Sequence, residues 1–117
     1  MSNFALDNKI FSTIWAAALD NNNREAFISD WALSSIWEDE ADDDALTVRA
    51  DQCGRIWDLA HMSVADIRHT TGLSQSRFAE AFCIPHKTVI KWEQRGGCAD
   101  YVRLMLARLC GLADNLL

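Results

Sequence analysis

The sequence has few of the residues that would make it fibrous, rich in loops or membrane-spanning. Its 117 residues include one proline and five glycines, which excludes collagen-like and loop-rich classes. No apolar run approaches the roughly 18–20 residues of a membrane span, and the first residues lack the basic start and long apolar run of a secretory signal. We therefore expect a cytoplasmic protein with no membrane segment. Half of the residues are hydrophobic and 24% are charged, which is typical of a globular chain able to bury a core.

The residues that usually hold metals or perform catalysis lack suitable spacing. The four cysteines are Cys53, Cys83, Cys98 and Cys110. They form no CxxC pair and have no histidine at metal-ligand spacing, so we expect reduced thiols, no metal and no cofactor. The three histidines share no spacing typical of a zinc site, nothing positions a nucleophile, and a glycine-rich phosphate loop is absent. The sequence does not point to an enzyme.

Apolar residues recur at helical spacing throughout the chain, which predicts an all-α fold. In the first half, this pattern predicts helices over 7–19, 24–37 and 51–61. Residues 38–44 contain six acids in seven positions, which favours a solvated linker because a packed core does not tolerate such charge density. Residues 45–50 fit either an extended segment or the start of a helix.

The second half has sharper boundaries. Helices are predicted over 64–71, 75–82, 85–95 and 99–112. Their ends coincide with cap and turn residues, namely Ser63, Gly72, Ser74, Pro85 and the pair Gly96-Gly97. We expect two parts: residues 1–44 as an N-terminal helical module with the acidic linker, and residues 45–117 as a compact domain of the five-helix type.

Two short helices in this domain, 75–82 and 85–95, are separated by a tight turn. Ala79 is small where the helices must cross, Ile84 follows the turn, and Val89 and Trp92 are spaced to face inward. The residues expected to face outward on the second helix are His86, Lys87, Thr88, Lys91 and Arg95. A helix fits the major groove of B-DNA, where side chains of these types reach base edges and phosphates.

The stretch GLSQSRFAEAFCIPHKTVIKWEQ resembles the helix-turn-helix of the Xre/phage-repressor family, whose pattern is TGLSQxxFAxxxGIxxxTVxxWE. The resemblance covers about residues 62–112, and residues 1–61 lie outside it. The sequence departs from the pattern at Cys83, where the family often has a glycine in a left-handed turn. A cysteine there would strain the backbone or shift the turn.

The resemblance implies a regulator, either a repressor or an antitoxin-like protein, that binds double-stranded DNA as a homodimer. The residues expected to contact bases are His86, Lys87, Thr88 and Lys91. The residues expected to hold phosphates are Gln75, Ser76, Arg77 and Arg95. The first two helices would then form a dimerisation or partner-binding module.

The net charge of −6 is unevenly divided. Residues 1–52 carry three basic and eleven acidic residues, for a net −8, whereas residues 53–117 carry eight and six, for +2. The half that resembles a DNA-binding domain is therefore mildly basic. The acidic half supports an alternative hypothesis, a protein-interaction module or inhibitor that docks on a basic partner such as a toxin or nuclease.

Overall fold

A computed structural model of the protein describes residues 6–114 and residue 116, and all the regular elements among them are helices. In chain order these are α1 (Asn8–Leu19), α2 (Arg24–Ala32), α3 (Asp43–His61), α4 (Val64–Thr71), α5 (Gln75–Ala81), α6 (His86–Arg95) and α7 (Asp100–Leu109). The predicted all-α class is confirmed. Over the residues described, none of these helices has the length and apolar character needed to cross a membrane.

The chain forms two compact units. The first contains the described residues up to His61 together with residues 113, 114 and 116, and the second contains residues 62–112. The expected boundary after residue 44 would fall inside α3, whereas the division between the units follows His61. All of α3 belongs to the first unit, where it packs against both α1 and α2. The second unit accordingly has four helices, α4 to α7, where the sequence suggested five.

The core of the first unit forms where α1 and α2 lie against α3. Ile14 of α1, Phe27 of α2 and Ile56 of α3 are each at most 1% exposed. Each sits on the apolar stripe that predicted its helix. The prediction that these three helices have a buried face is confirmed.

Residues 113, 114 and 116 return to this first unit. The backbone N–H of Leu6 donates to the carbonyl oxygen of Leu116 at 3.0 Å, and the Arg55 guanidinium donates to the carbonyl oxygen of Asp114 at 2.7 Å. Leu116 is fully buried. The second unit is therefore inserted between two segments of the first.

Helix α2 is shorter than the predicted helix 24–37, which is wrong beyond Ala32. The Ser34 hydroxyl accepts a hydrogen bond from the backbone N–H of Ile36 at 3.2 Å, an alternative to helical bonding that serine favours. The indole Nε1 of Trp37 folds back and donates to the carbonyl oxygen of Trp31 at 2.8 Å. The same carbonyl accepts from the backbone N–H of Ser34 at 3.2 Å, so the indole adds a second bond at the end of the helix.

The acidic run is only partly a linker, which corrects the expectation for residues 38–44. Asp42 caps α3, because its Oδ1 accepts from the backbone N–H of Ala45 at 2.8 Å. Asp43 and Asp44 lie in the first turn, where the helix dipole favours negative charge. Residues 45–50, undecided from the sequence, are helical.

The rest of the acidic run is tied to α3. The Arg49 guanidinium donates to the carbonyl oxygen of Asp39 at 3.2 Å, and its Cζ lies 5.1 Å from the centroid of the Trp37 ring. Residues 37–39 are thus held against α3, while the side chains of Glu38 and Asp39 stay exposed to solvent.

The second unit begins with a helix capped by Ser63, as the sequence predicted, and the capping is reciprocal. The hydroxyl of Ser63 accepts from the backbone N–H of Asp66, and the carboxylate of Asp66 accepts from the backbone N–H of Ser63. Gly72 ends α4 in the left-handed conformation, at φ 72°. These predicted ends of α4 are confirmed.

The core of the second unit draws on all four helices. Ile67 of α4, Phe78 of α5, Val89 of α6 and Leu106 of α7 are each at most 5% exposed. α6 packs against both α4 and α5, and α4 also packs against α7. The orientation of α6 is thus fixed by contacts on two sides.

Candidate nucleic-acid interface

The turn between α5 and α6 has a defined hydrogen-bonded form. The backbone N–H of Ile84 donates to the carbonyl oxygen of Ala79 at 2.9 Å, and that of Cys83 donates to the carbonyl oxygen of Glu80 at 3.2 Å. This pair of bonds is the Schellman ending of a helix, which places a left-handed residue just after the C-cap. Cys83 occupies that position at φ 55° and is the one non-glycine residue with positive φ among those described. With cysteine at this position the turn retains its form, and the backbone of Cys83 is strained.

The buried side of α6 decides which of its side chains face solvent. Val89 is fully buried, and Trp92 is half-buried on the same side. At 100° per residue, the opposite side of the helix runs through four exposed side chains. These are Lys87, Lys91, Gln94 and Arg95. The outward positions expected for Lys87, Lys91 and Arg95 are confirmed.

The remaining positions on α6 refine the predicted set. His86 is exposed in the first turn, and Thr88 is half-buried at the edge of the solvent-facing side. Gln94 was missed, although a helical projection of the sequence places it beside Lys87. Its amide can both donate and accept, which is the capacity needed to hydrogen-bond an adenine edge.

A nearly buried ion pair joins α4 to α6. The Nε and Nη2 atoms of Arg68 donate to the two carboxylate oxygens of Glu93 at 2.8 and 2.9 Å. The two side chains are 15% and 9% exposed. Hydrogen bonding from Arg68 lowers the pKa of Glu93, assisted by a bond from Gln75. Glu93 is the one acidic residue of α6, so the exposed side of this helix presents positive charge without a competing carboxylate.

The predicted phosphate contacts on α5 divide into two kinds. Ser76 and Arg77 are exposed, as expected for residues that meet a ligand. Gln75 is half-buried, and its amide Nε2 donates to Glu93 at 3.2 Å. This bond connects the start of α5 to α6, a positioning role that the sequence did not predict. Glu80 is an exposed acid on the same helix.

The division into units sharpens the charge asymmetry. Residues 62–112 contain seven basic and four acidic residues, a net +3, which leaves −9 on the rest of the chain. Of the four acids, Glu93 is paired with Arg68 and Asp100 with Arg103, while Asp66 accepts the capping bond from Ser63. With both ion pairs set aside, five basic and two acidic residues remain, so the net +3 of this unit is carried by side chains outside the pairs.

Within residues 6–114 and 116, no three His, Cys, Asp or Glu side chains are grouped to hold a metal ion. The fold and site define an all-helical chain whose second unit carries a solvent-facing, positively charged helix after a tight turn. Protein-family models, curated proteins and solved structures give no match to the chain.

Proposed function

We propose that this protein is a sequence-specific DNA-binding regulator, a repressor or antitoxin-like protein of the cytoplasm. Helix α6 would enter the major groove, and α5 would rest on the DNA backbone. The observation that carries the proposal is the solvent-facing side of α6, where Lys87, Lys91 and Arg95 lie at four-residue intervals. The resemblance of residues 62–112 to Xre-like helix-turn-helix domains supports the same function.

The side chains suit two kinds of contact. His86, Lys87, Thr88 and Lys91 carry groups that can hydrogen-bond base edges, and the half-buried Thr88 is restricted to the edge of the interface. Ser76, Arg77 and Arg95 can reach phosphates. Gln75 supports the site through Glu93 and presents only part of its side chain to a ligand.

A pair of such units would suit an operator with two half-sites. One short helix covers few base pairs, so a homodimer is the usual way to reach specific affinity. Each phosphate neutralised by a lysine or arginine adds to the salt dependence of binding. Binding is therefore expected to weaken steeply as salt rises.

The test is fluorescence anisotropy with duplex DNA from the region upstream of the protein's own coding sequence, at several salt concentrations. Lys87→Ala combined with Lys91→Ala should weaken binding by about 30-fold or more, since each lost contact costs about 1–3 kcal/mol. The salt slope should also fall. Lys9→Ala removes the third lysine of the chain, which is exposed on α1, and should change affinity little. A double variant that binds like the parent would refute the proposed interface.

The −9 charge of the rest of the chain favours a second candidate, a surface that binds a basic protein such as a toxin or nuclease. Glu38, Asp39 and Glu40 are exposed, and their carboxylates do not cap α3. Deleting residues 1–44 is a poor test because it would remove α1 and α2 from the core on α3. Changing the three acids to Gln, Asn and Gln removes charge and keeps the helices.

The two candidates predict different results for this triple variant. If the acids repel DNA, its affinity for random-sequence duplexes should rise and its salt dependence should steepen. If they bind a basic partner, affinity for that purified partner should fall while DNA binding is unchanged. An unchanged affinity for both would leave the acids as a solvated surface.

A further inference from the structure

A cavity of about 540 Å³ lies within the first unit, where the start of α1 and residues 35–39 face Arg49 of α3. Three half-buried apolar side chains line it, namely Ile10, Ile36 and Trp37. Sites for small molecules commonly have volumes of roughly 300–1,000 Å³ and combine apolar walls with a few polar groups. The cavity has both properties, and the proposed DNA contacts on α6 make no use of it.

Arg49 is a half-buried cation that lines this cavity without an anionic partner. Its Nη2 donates to the backbone carbonyl oxygen of Asp39 at 3.2 Å, and its Cζ lies 5.1 Å from the centroid of the Trp37 ring. Within the part of the chain that the structure describes, no carboxylate oxygen lies within 4.0 Å of its guanidinium nitrogens. A guanidinium has five N–H donors, so the bond to Asp39 leaves others open to a ligand. Their planar arrangement suits a carboxylate, which an arginine binds through two parallel hydrogen bonds.

Asp39 places an unpaired carboxylate near this arginine. Its backbone carbonyl oxygen is bonded to Arg49, so its exposed side chain lies close by and also lines the cavity. Among the described residues, its carboxylate has no hydrogen-bond or ion-pair partner. Two further acids line the cavity: Glu38 is exposed, and Asp7 caps α1 by accepting from backbone N–H groups of that helix. The cavity therefore holds a cation and an anion side by side that do not pair with each other.

We propose that this cavity binds a free α-amino acid with an apolar side chain. The α-carboxylate of the ligand accepts from Arg49, and its α-ammonium donates to Asp39. Its side chain lies against Ile10, Ile36 and Trp37. An α-amino acid carries both charged groups on one carbon atom, so it can bridge a cation and an anion that do not reach each other. This inference goes beyond DNA binding and does not depend on it.

The charges around the cavity favour a zwitterion over other small ligands. Two basic and three acidic side chains line it, namely Lys9, Arg49, Asp7, Glu38 and Asp39. A phosphate or a dicarboxylate would bring two negative charges towards these acids, and like charges at close range repel. A simple amine would pair with an acid and leave Arg49 without a partner. A zwitterion adds no net charge and pairs with both signs.

The first test is an NMR titration of the isotope-labelled full chain with L-phenylalanine at constant ionic strength. The Nε1–H of Trp37 and the Nε–H of Arg49 report from the cavity itself. Both resonances should shift and saturate with a Kd on the order of 1 mM, as expected for a ligand of about twelve non-hydrogen atoms. Phenylpropionate lacks the ammonium and phenethylamine lacks the carboxylate, so each should bind about 10-fold more weakly, because a charged hydrogen bond is lost. No saturable shift with L-phenylalanine, or equal affinity for either analogue, would overturn the proposal.

The second test changes the preference of the site while the fold is kept. Asp39→Asn removes the carboxylate and retains the backbone carbonyl oxygen that accepts from Arg49. It should weaken L-phenylalanine binding by about 10-fold, yet bind phenylpropionate at least as well as the parent, because a repelling charge is gone. Asp51→Asn is the control, since Asp51 is an exposed acid of α3 that does not line the cavity. An Asp39→Asn variant with the parent's preference for L-phenylalanine over phenylpropionate would contradict the proposal.

The third test concerns the carboxylate of the ligand. Arg49→Gln should weaken both L-phenylalanine and phenylpropionate and leave phenethylamine unaffected. The matched control is Arg55→Gln, because Arg55 lies on the same helix and also donates to a backbone carbonyl oxygen, outside the cavity. Arg49→Gln that binds L-phenylalanine like the parent would refute the site. The variant with Lys87→Ala and Lys91→Ala should bind L-phenylalanine normally, so failure of this proposal and failure of the DNA-binding proposal are distinguishable.

Discussion

Replacing Glu93 with glutamine should destabilise the second unit far more than an isosteric change on the surface would. The substitution keeps the size of the side chain and removes its charge. Arg68 then retains a positive charge that is only 15% exposed, without its anionic partner. Because α6 is held to α4 and α5 through this carboxylate, the same change should loosen the helix that carries Lys87 and Lys91.

The expected loss is about 3 kcal/mol, the lower part of the range for removing one partner of a buried ion pair. Urea denaturation followed by circular dichroism measures the free energy of unfolding. Hydrogen exchange at the amides of α4 and α6 reports on the second unit alone. The matched control is Asp58→Asn, which breaks the Arg24–Asp58 pair. Those side chains are 45% and 51% exposed, so solvent screening should hold that loss below about 1 kcal/mol.

The effect should depend on pH in a defined direction. The pKa of Glu93 is lowered in the folded chain, chiefly by the hydrogen bonds from Arg68. Its stabilisation is therefore complete above the ordinary glutamate value, about 4.3, and is lost as pH falls through the lowered folded value. The difference between the parent and Glu93→Gln should be largest at neutral pH and shrink in acid.

Two outcomes would refute this account of the ion pair. One is a Glu93→Gln variant within about 1 kcal/mol of the parent at pH 7, which is the range of an exposed pair. The other concerns the double variant Arg68→Met with Glu93→Leu, which removes both charges. It should recover much of the loss, since well-packed apolar residues can replace a buried pair. If it is no more stable than Glu93→Gln, the uncompensated charge is not the cause.

The remaining predictions concern the cysteines. Cys83→Gly should raise the free energy of unfolding by about 0.5–1 kcal/mol, because a left-handed residue costs about 1–2 kcal/mol and glycine loses part of that gain in chain entropy. Cys98→Gly, at a position with negative φ, should lower it; equal effects in urea denaturation would contradict the argument. Cys53 is fully buried, and burial raises its pKa to about 11. At pH 8 a thiol reagent should therefore label the exposed Cys83 quickly and Cys53 only as the protein unfolds, with mass spectrometry locating the label.

The helix boundaries best predicted from sequence are those marked by a residue that favours a helix start or end, namely a serine, a glycine or a proline. Ser63 and Gly72 delimit α4 as expected, and Pro85 precedes α6. Where such residues are missing, the prediction failed. The apolar pattern that predicted helix 24–37 continues past Ala32. No residue there marks the end of the helix, since serine and tryptophan do not end a helix by themselves. At the actual end, the carbonyl oxygen of Trp31 accepts from both the backbone N–H of Ser34 and the indole of Trp37, and the second bond forms only when the following residues fold back.

The start of α3 was missed for an electrostatic reason. Clustered carboxylates repel in a solvated segment, yet the same groups stabilise the first turn of a helix, as Asp43 and Asp44 do here. Within the candidate site, the solvent-facing side of α6 could be predicted from the helical spacing of its apolar residues. The Arg68–Glu93 pair did not, because its members are 25 residues apart in sequence and meet only once α4 and α6 are packed.

The return of residues 113, 114 and 116 to the first unit has a consequence for synthesis on the ribosome. Leu6 and Arg55 find their backbone partners in residues that are translated after the whole of the second unit. The continuous segment 62–112 can therefore complete its own contacts during synthesis, whereas the first unit gains its contacts with Asp114 and Leu116 only afterwards. The unit whose residues are translated first is therefore the one that makes its final contacts last.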